Sequence, residues 1–110
     1  MTLDKYQEET DKTATYPKDT VLSALTYTAL GCAGEAGELA NKVKKIIRGD
    51  HKLTFEVRLA ILNEIGDVLW YCAQIARTLD ASFASIAEAN LAKLEKRFKE
   101  GKIMGEGDNR

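Results

Sequence analysis

The chain has 110 residues, of which 45% are hydrophobic and 30% charged, and its formal net charge is −1. That length suits one ordinary domain with a single core burying roughly 65% of the unfolded surface. The near-neutral balance excludes a bulk attraction to nucleic acid or to a membrane, so charged chemistry has to come from local clusters.

The opening stretch "MTLDKYQEETDKTATYPKD" is highly charged and lacks the apolar core of a signal peptide. Runs such as "VLWYCAQIA" fall far short of the ~20 apolar residues a membrane span requires. Cys32 and Cys72 sit in apolar helical patterns without metal or redox spacing, which reads as two reduced, buried small hydrophobes. The expectation is a soluble, cytoplasmic protein with neither a nucleic-acid nor a membrane partner.

Four helices account for nearly the whole chain. The first, over residues 3–15, is polar and stops at "TYPKD", because Pro17 disfavours helix at Tyr16. The second, over 20–48, carries an apolar stripe of Leu25, Ala29, Cys32, Ala36, Leu39, Val43 and Ile46, with Gly49 as its C-terminal cap. The third starts after Thr54, an N-cap with Glu56 in the first turn. Its stripe of Val57, Ile61, Ile65, Val68, Cys72, Ile75 and Leu79 is joined by Leu62, Leu69, Ala73 and Ala76, so burial over most of its circumference is predicted. The fourth follows Ser82 and runs to about residue 100, and the tail 101–110, rich in glycine, is not helical. The predicted fold class is all-α, a bundle in one domain over 1–110.

Two acidic pairs stand out inside the apolar segments: Glu35 and Glu38 in "GEAGEL", and Glu64 and Asp67 in "NEIGDVLWY". Residues three apart share a helix face, with Cβ atoms ~5–6 Å apart. Both pairs read as about one residue round from the apolar stripe of their helix. If the second and third helices pack antiparallel, the four carboxylates converge. Two carboxylates ~4 Å apart repel by about 4 kcal/mol at an effective dielectric near 20. A hard divalent cation removes that cost. With no histidine in either motif, and His51 in a loop, the set favours magnesium or manganese over zinc or di-iron chemistry. The bland alternative is a surface Glu-x-x-Glu with Glu38 paired to Lys42 at i+4. Against it stand Gly34, Gly37 and Gly66, each costing ~1 kcal/mol of helix propensity relative to alanine and suggesting that space beside the carboxylates is needed.

Glu35-x-x-Glu38 followed by Glu64-x-x-Asp67, together with "ALGCAGEAGELANKVKK", "NEIGDVLWYCAQIA" and "EANLAKLEKR", resembles the MazG-like all-α nucleoside triphosphate pyrophosphohydrolases over nearly the whole chain. The resemblance implies magnesium-dependent cleavage of a nucleoside triphosphate between the α and β phosphates. It implies Glu35, Glu38, Glu64 and Asp67 as metal ligands, Glu35 or Glu38 as general base, and Asn90 and Lys93 as contacts to the nucleotide and its phosphates. Arg97, one turn beyond Lys93, and Lys42, on the side of the second helix bearing the glutamates, are further candidates for phosphate. Tyr71, one turn beyond Asp67, is a candidate to stack on the base, whereas Trp70 reads as core or subunit interface. Many relatives carry a doubled glutamate where this chain has Gly34 before Glu35. Short members assemble into dimers or tetramers that complete the pocket, so a homo-oligomer is expected, with Arg110 of the tail near phosphate. Nucleotide-pool house-cleaning is the implied role; a non-catalytic helical module, or a regulator that binds triphosphate with poor turnover, are the competing readings.

Overall fold

The computed structural model describes residues 1–105, and among them the regular structure is entirely helical: α1 (Leu3–Thr10), α2 (Val21–Arg48), α3 (Phe55–Thr78) and α4 (Phe83–Lys99). Arg110 lies outside the described residues. The predicted caps Gly49, Thr54 and Ser82 form, and Thr20, read from sequence as the first helical residue, is the N-cap of α2. Thr20 forms a capping box with Ser23, Thr54 accepts from the Val57 amide, and Ser82 accepts from the Ser85 amide. Gly49 closes α2 in the left-handed region at φ 93°. The end of the first helix differs more. The α-helix ends at Thr10, and a single 3₁₀ turn, Asp11–Thr13, carries the chain into an irregular stretch up to Thr20.

Close pairs fix the hairpin of α2 and α3 as antiparallel: Gly31 lies against Tyr71, Cys32 Sγ is 3.9 Å from Cys72 Sγ, and Lys42 meets Glu64. On α2 the covered positions include Leu25, Thr28, Cys32, Glu35, Leu39, Lys42 and Ile46, alternating in steps of three and four. On α3 they include Val57, Ile61, Glu64, Val68, Tyr71, Ile75 and Thr78, with the same alternation. That is the seam of two helices packed side by side. It differs from the expected stripe, since Ala29, Ala36 and Val43 are exposed while Glu35, Lys42 and Glu64 are in the seam rather than beside it.

Two buried glutamines clasp the N-terminal segment onto α3. Gln7 donates to the carbonyls of Ala73 (3.3 Å) and Ala81 (2.9 Å) and accepts from the Phe83 amide (3.1 Å). Gln74, 1% exposed, accepts from the Tyr16 hydroxyl and donates to Thr10 Oγ1 and Asp11 Oδ1. Each amide is satisfied at both ends, as burial demands.

The third helix is not buried on most of its circumference. Leu59, Leu62, Ile65 and Leu69 are 37–54% exposed, because α2 covers one side and no other element among the described residues covers that stripe. The radius of gyration is 16.7 Å, against about 13 Å for a compact chain of this length.

The glycines sort differently from expectation. A Cβ at Gly34, Gly37 or Gly66 would meet nothing within 4 Å, so within the chain they clear no space. At Gly31 it would lie 2.2 Å from the Tyr71 ring. Gly31→Ala is therefore expected to lower the melting temperature by roughly 4 °C or more, whereas Gly66→Ala in the isolated chain leaves it unchanged or raises it. Thermal unfolding of the two variants checks both.

Candidate functional site: an acidic cluster beside an aromatic cavity

One oxygen each from Glu35, Glu64 and Asp67 lies within 4.8 Å of the others. The antiparallel seam accounts for this. Glu35 and Glu64 occupy facing seam positions, and Asp67 follows one turn after Glu64 at the seam's exposed edge. Glu38, one turn beyond Glu35, is exposed and is not among the three that converge.

The electrostatics are those of crowded carboxylates with too little positive charge. Lys42 Nζ donates to Glu64 Oε1 at 2.9 Å across the two helices, not to Glu38 along its own. This ammonium, followed by hydrogen bonding to Glu35, holds the Glu64 carboxyl below the usual range. Glu35 is pushed up, first by sharing a hydrogen bond with Glu64, then by desolvation and the charges of Glu64, Asp67 and Glu38. Glu35 thus holds its proton to higher pH than an ordinary glutamate, as like charges sharing one site require.

Glu64 Oε2 is buried and, among the described residues with both carboxylates ionised, has no hydrogen-bond donor. An orphaned carboxylate oxygen in such a place is costly unless a cation or a proton donor reaches it. Three hard oxygen ligands with one oriented by lysine fit a divalent cation of the magnesium type. The donor set contains neither nitrogen nor sulfur, which disfavours zinc.

Beside the cluster lies a cavity of about 340 Å³ lined by Thr13, Thr15, Tyr16, Tyr27, Glu35, Asp67, Trp70 and Tyr71. Its walls are aromatic. Tyr16 and Tyr27 stack with centroids 5.0 Å apart and an 8° interplanar angle, and Trp70 meets Tyr16 and Tyr71 edge-on. Tyr71 also contacts Tyr27, at 6.4 Å. Trp70 Nε1 donates to Thr13 Oγ1 at 2.8 Å, tying the N-terminal segment to the cavity rim. A larger cavity of about 570 Å³ shares Tyr16 but reaches none of the clustered carboxylates.

Of the residues singled out from sequence, Glu35, Glu64, Asp67, Lys42 and Tyr71 therefore come together. Trp70 joins them as a cavity wall as well as packing on Ala14, Tyr16 and Ala24. Asn90 and Lys93, exposed on α4, belong neither to the cluster nor to the cavity. Arg97 is 5% exposed and so does not extend an open basic face. Thr13, Thr15, Tyr16 and Tyr27 escaped the sequence reading. The first three lie in a stretch that carries only a helix-stop signal, and Tyr27 flanks the stripe of α2 as many tyrosines do.

The family model for the MazG nucleotide pyrophosphohydrolase domain matches residues 23–101. The chain is 45% identical over 115 aligned residues to the Gene 37 protein of Mycobacterium phage L5, with both chains covered in full. No solved structure matches. A match over most of the length, joined to an all-helical fold whose two acidic motifs converge, settles the assignment: the chain belongs to the MazG nucleotide pyrophosphohydrolase family.

Proposed function

We propose that this protein is a magnesium-dependent nucleoside triphosphate pyrophosphohydrolase acting in nucleotide-pool house-cleaning. The observation that carries the reading is the convergence of Glu35, Glu64 and Asp67 around an orphaned buried oxygen, next to an aromatic cavity. Glu35, Glu64 and Asp67 hold the cation, and Glu38 is the fourth carboxylate of the set. Magnesium, with manganese as the substitute, supplies charge neutralisation for the triphosphate and a lowered pKa for the attacking water.

The base lies among Tyr16, Tyr27, Trp70 and Tyr71, which places the phosphate chain toward the carboxylates at the cavity mouth. The water oxygen forms a bond to the α-phosphorus. The bond from that phosphorus to the α–β bridging oxygen breaks, and pyrophosphate leaves with the electron pair. Glu35 or Glu38 accepts the water proton. Lys42 spends one N–H on Glu64 and has two more to offer phosphate. Asn90 and Lys93 contribute to substrate binding when α4, from this or a second chain, is brought to the site.

A homodimer or homotetramer is part of this proposal. The accessible surface of 7941 Å² exceeds by roughly 1,900 Å² what a compact monomer of 12.2 kDa shows. That excess is more than the ~800 Å² each partner contributes to a standard interface. The exposed stripe Leu59, Leu62, Ile65 and Leu69 is the apolar face a second copy would cover.

The decisive assay offers a panel of ribo- and deoxyribonucleoside triphosphates with magnesium or with chelator. Monophosphate plus pyrophosphate, abolished by chelator, is expected, and Glu64→Gln and Asp67→Asn should each lower kcat on the order of 10²-fold or more. Orthophosphate release, or no turnover of any nucleotide, would overturn the reading.

The raised Glu35 pKa sets a pH dependence. The folded state holds that proton more tightly than the unfolded chain, so in metal-free protein this contribution to stability is complete in acid. It is lost as pH rises through the folded-state value. A cation replaces the proton above that value. The melting-temperature gain from magnesium should therefore be small near about pH 4 and grow towards about pH 8. A gain independent of pH would count against Glu35 as a ligand.

Sedimentation should show a dimer or tetramer for the parent and a monomer for Leu62→Glu, whose side chain is 54% exposed in the single chain. A monomeric parent would remove the oligomer from the proposal.

A further inference from the structure

The family model begins at residue 23, yet Thr13, Thr15 and Tyr16 of the preceding segment line the cavity beside the carboxylates. That segment has no helix of its own beyond one 3₁₀ turn, so its position has to be imposed from outside. Trp70 holds it at Thr13, and one buried amide holds it at Thr10, Asp11 and Tyr16. Gln74 Oε1 receives the Tyr16 hydroxyl at 2.7 Å, and Gln74 Nε2 reaches Thr10 Oγ1 at 2.7 Å and Asp11 Oδ1 at 2.9 Å. Asp11 Oδ2 in turn accepts from Arg77 Nε at 3.0 Å. Gln74 itself lines the larger cavity and not the one beside the carboxylates.

We infer that Gln74 is a positioning residue for the nucleobase. By holding the Tyr16 hydroxyl it fixes the Tyr16 ring as the partition between the two cavities. Resting on the proposed nucleotide reading, this makes the N-terminal segment a wall that sets base preference together with the aromatic residues of the shared domain. Tyr16 walls both cavities, so a ring freed from Gln74 has room to move on either side, and the smaller cavity loses its shape. The stack on Tyr27 and the edge contact with Trp70 orient the ring plane but do not set how deep it sits. The polar bond at its far end does. Burial pushes the Tyr16 hydroxyl up, so it stays protonated and keeps donating.

The test reads binding rather than turnover. Trp70 is the one tryptophan and lines the cavity, so its fluorescence reports occupancy by nucleoside monophosphates, without metal. Tyr16→Phe keeps the ring and deletes only the hydroxyl, while Gln74→Met deletes the acceptor together with the two N–H bonds to Thr10 and Asp11. Tyr16→Phe is expected to weaken the tightest monophosphate roughly fivefold to tenfold, the size of one lost hydrogen bond, and Gln74→Met at least as much; both should narrow the spread of Kd across the bases. The double variant should bind no more weakly than Gln74→Met alone, since that change already removes the bond Tyr16→Phe deletes. Gln7→Met unclasps α1 from the α3–α4 turn without touching Tyr16; it should lower the melting temperature yet leave the Kd values as they are. Tyr16→Phe is the gentler variant, so a poorly folding Gln74→Met still leaves a reading. Additive losses, equal losses from Gln7→Met, or an unchanged spread in Tyr16→Phe would overturn the inference. A parent whose fluorescence answers to no monophosphate overturns it too, whatever the product assay shows. An inactive parent that still binds bases with the expected pattern would overturn only the catalytic reading.

Discussion

Everything at the site depends on two glutamates facing each other across a helix seam. Glu35 and Glu64 occupy positions that an isolated hairpin would fill with leucine, and Lys42 from the same seam satisfies one oxygen of Glu64 and leaves the other orphaned. The cost shows in opposite pKa directions, Glu64 held down by the ammonium and Glu35 pushed up by its neighbours. Replacing buried ionic groups by apolar ones is often neutral or stabilising, so a seam retaining three of them is poorly explained by stability alone. In the proposed reading the missing positive charge arrives with the cation.

The aromatic cavity depends on that seam as much as the carboxylates do. Tyr71 is a seam residue of α3, and its ring lies over the backbone of α2 because Gly31 has no side chain to hold it off. Trp70, next in sequence, points to the N-terminal segment and binds Thr13. Consecutive residues of one helix thus join the hairpin to the irregular segment that covers it. A flat ligand placed there is framed by both, with two of the carboxylates at its edge.

The open shape of the chain follows from how little each helix finds to pack against. The seam uses one side of α2 and one side of α3, and the clasp of Gln7 and Gln74 uses the C-terminal half of α3. The rest of the apolar surface, including Leu59, Leu62, Ile65 and Leu69, is left exposed by the described residues. That stripe is the surface the proposed pairing of copies would cover.

The helices, their caps and the two acidic pairs were legible in the sequence, because N-cap chemistry, the left-handed preference of glycine and i,i+3 spacing act over one or two turns. The all-α class and the family followed from the same local signals. Which face of each helix points inward was not legible to within one residue. Both α2 and α3 carry small or apolar residues on several sides, and only the antiparallel packing chose the seam that takes in Glu35, Lys42 and Glu64. The partners of Lys42, Tyr16 and Gln74 were also out of reach, since they are separated by 22 to 64 residues and no local rule pairs them. Sequence alone determined the elements and the residue types of the site. The tertiary structure decided which of those residues meet, because meeting depends on the register of two helices and on where one irregular segment is tied down.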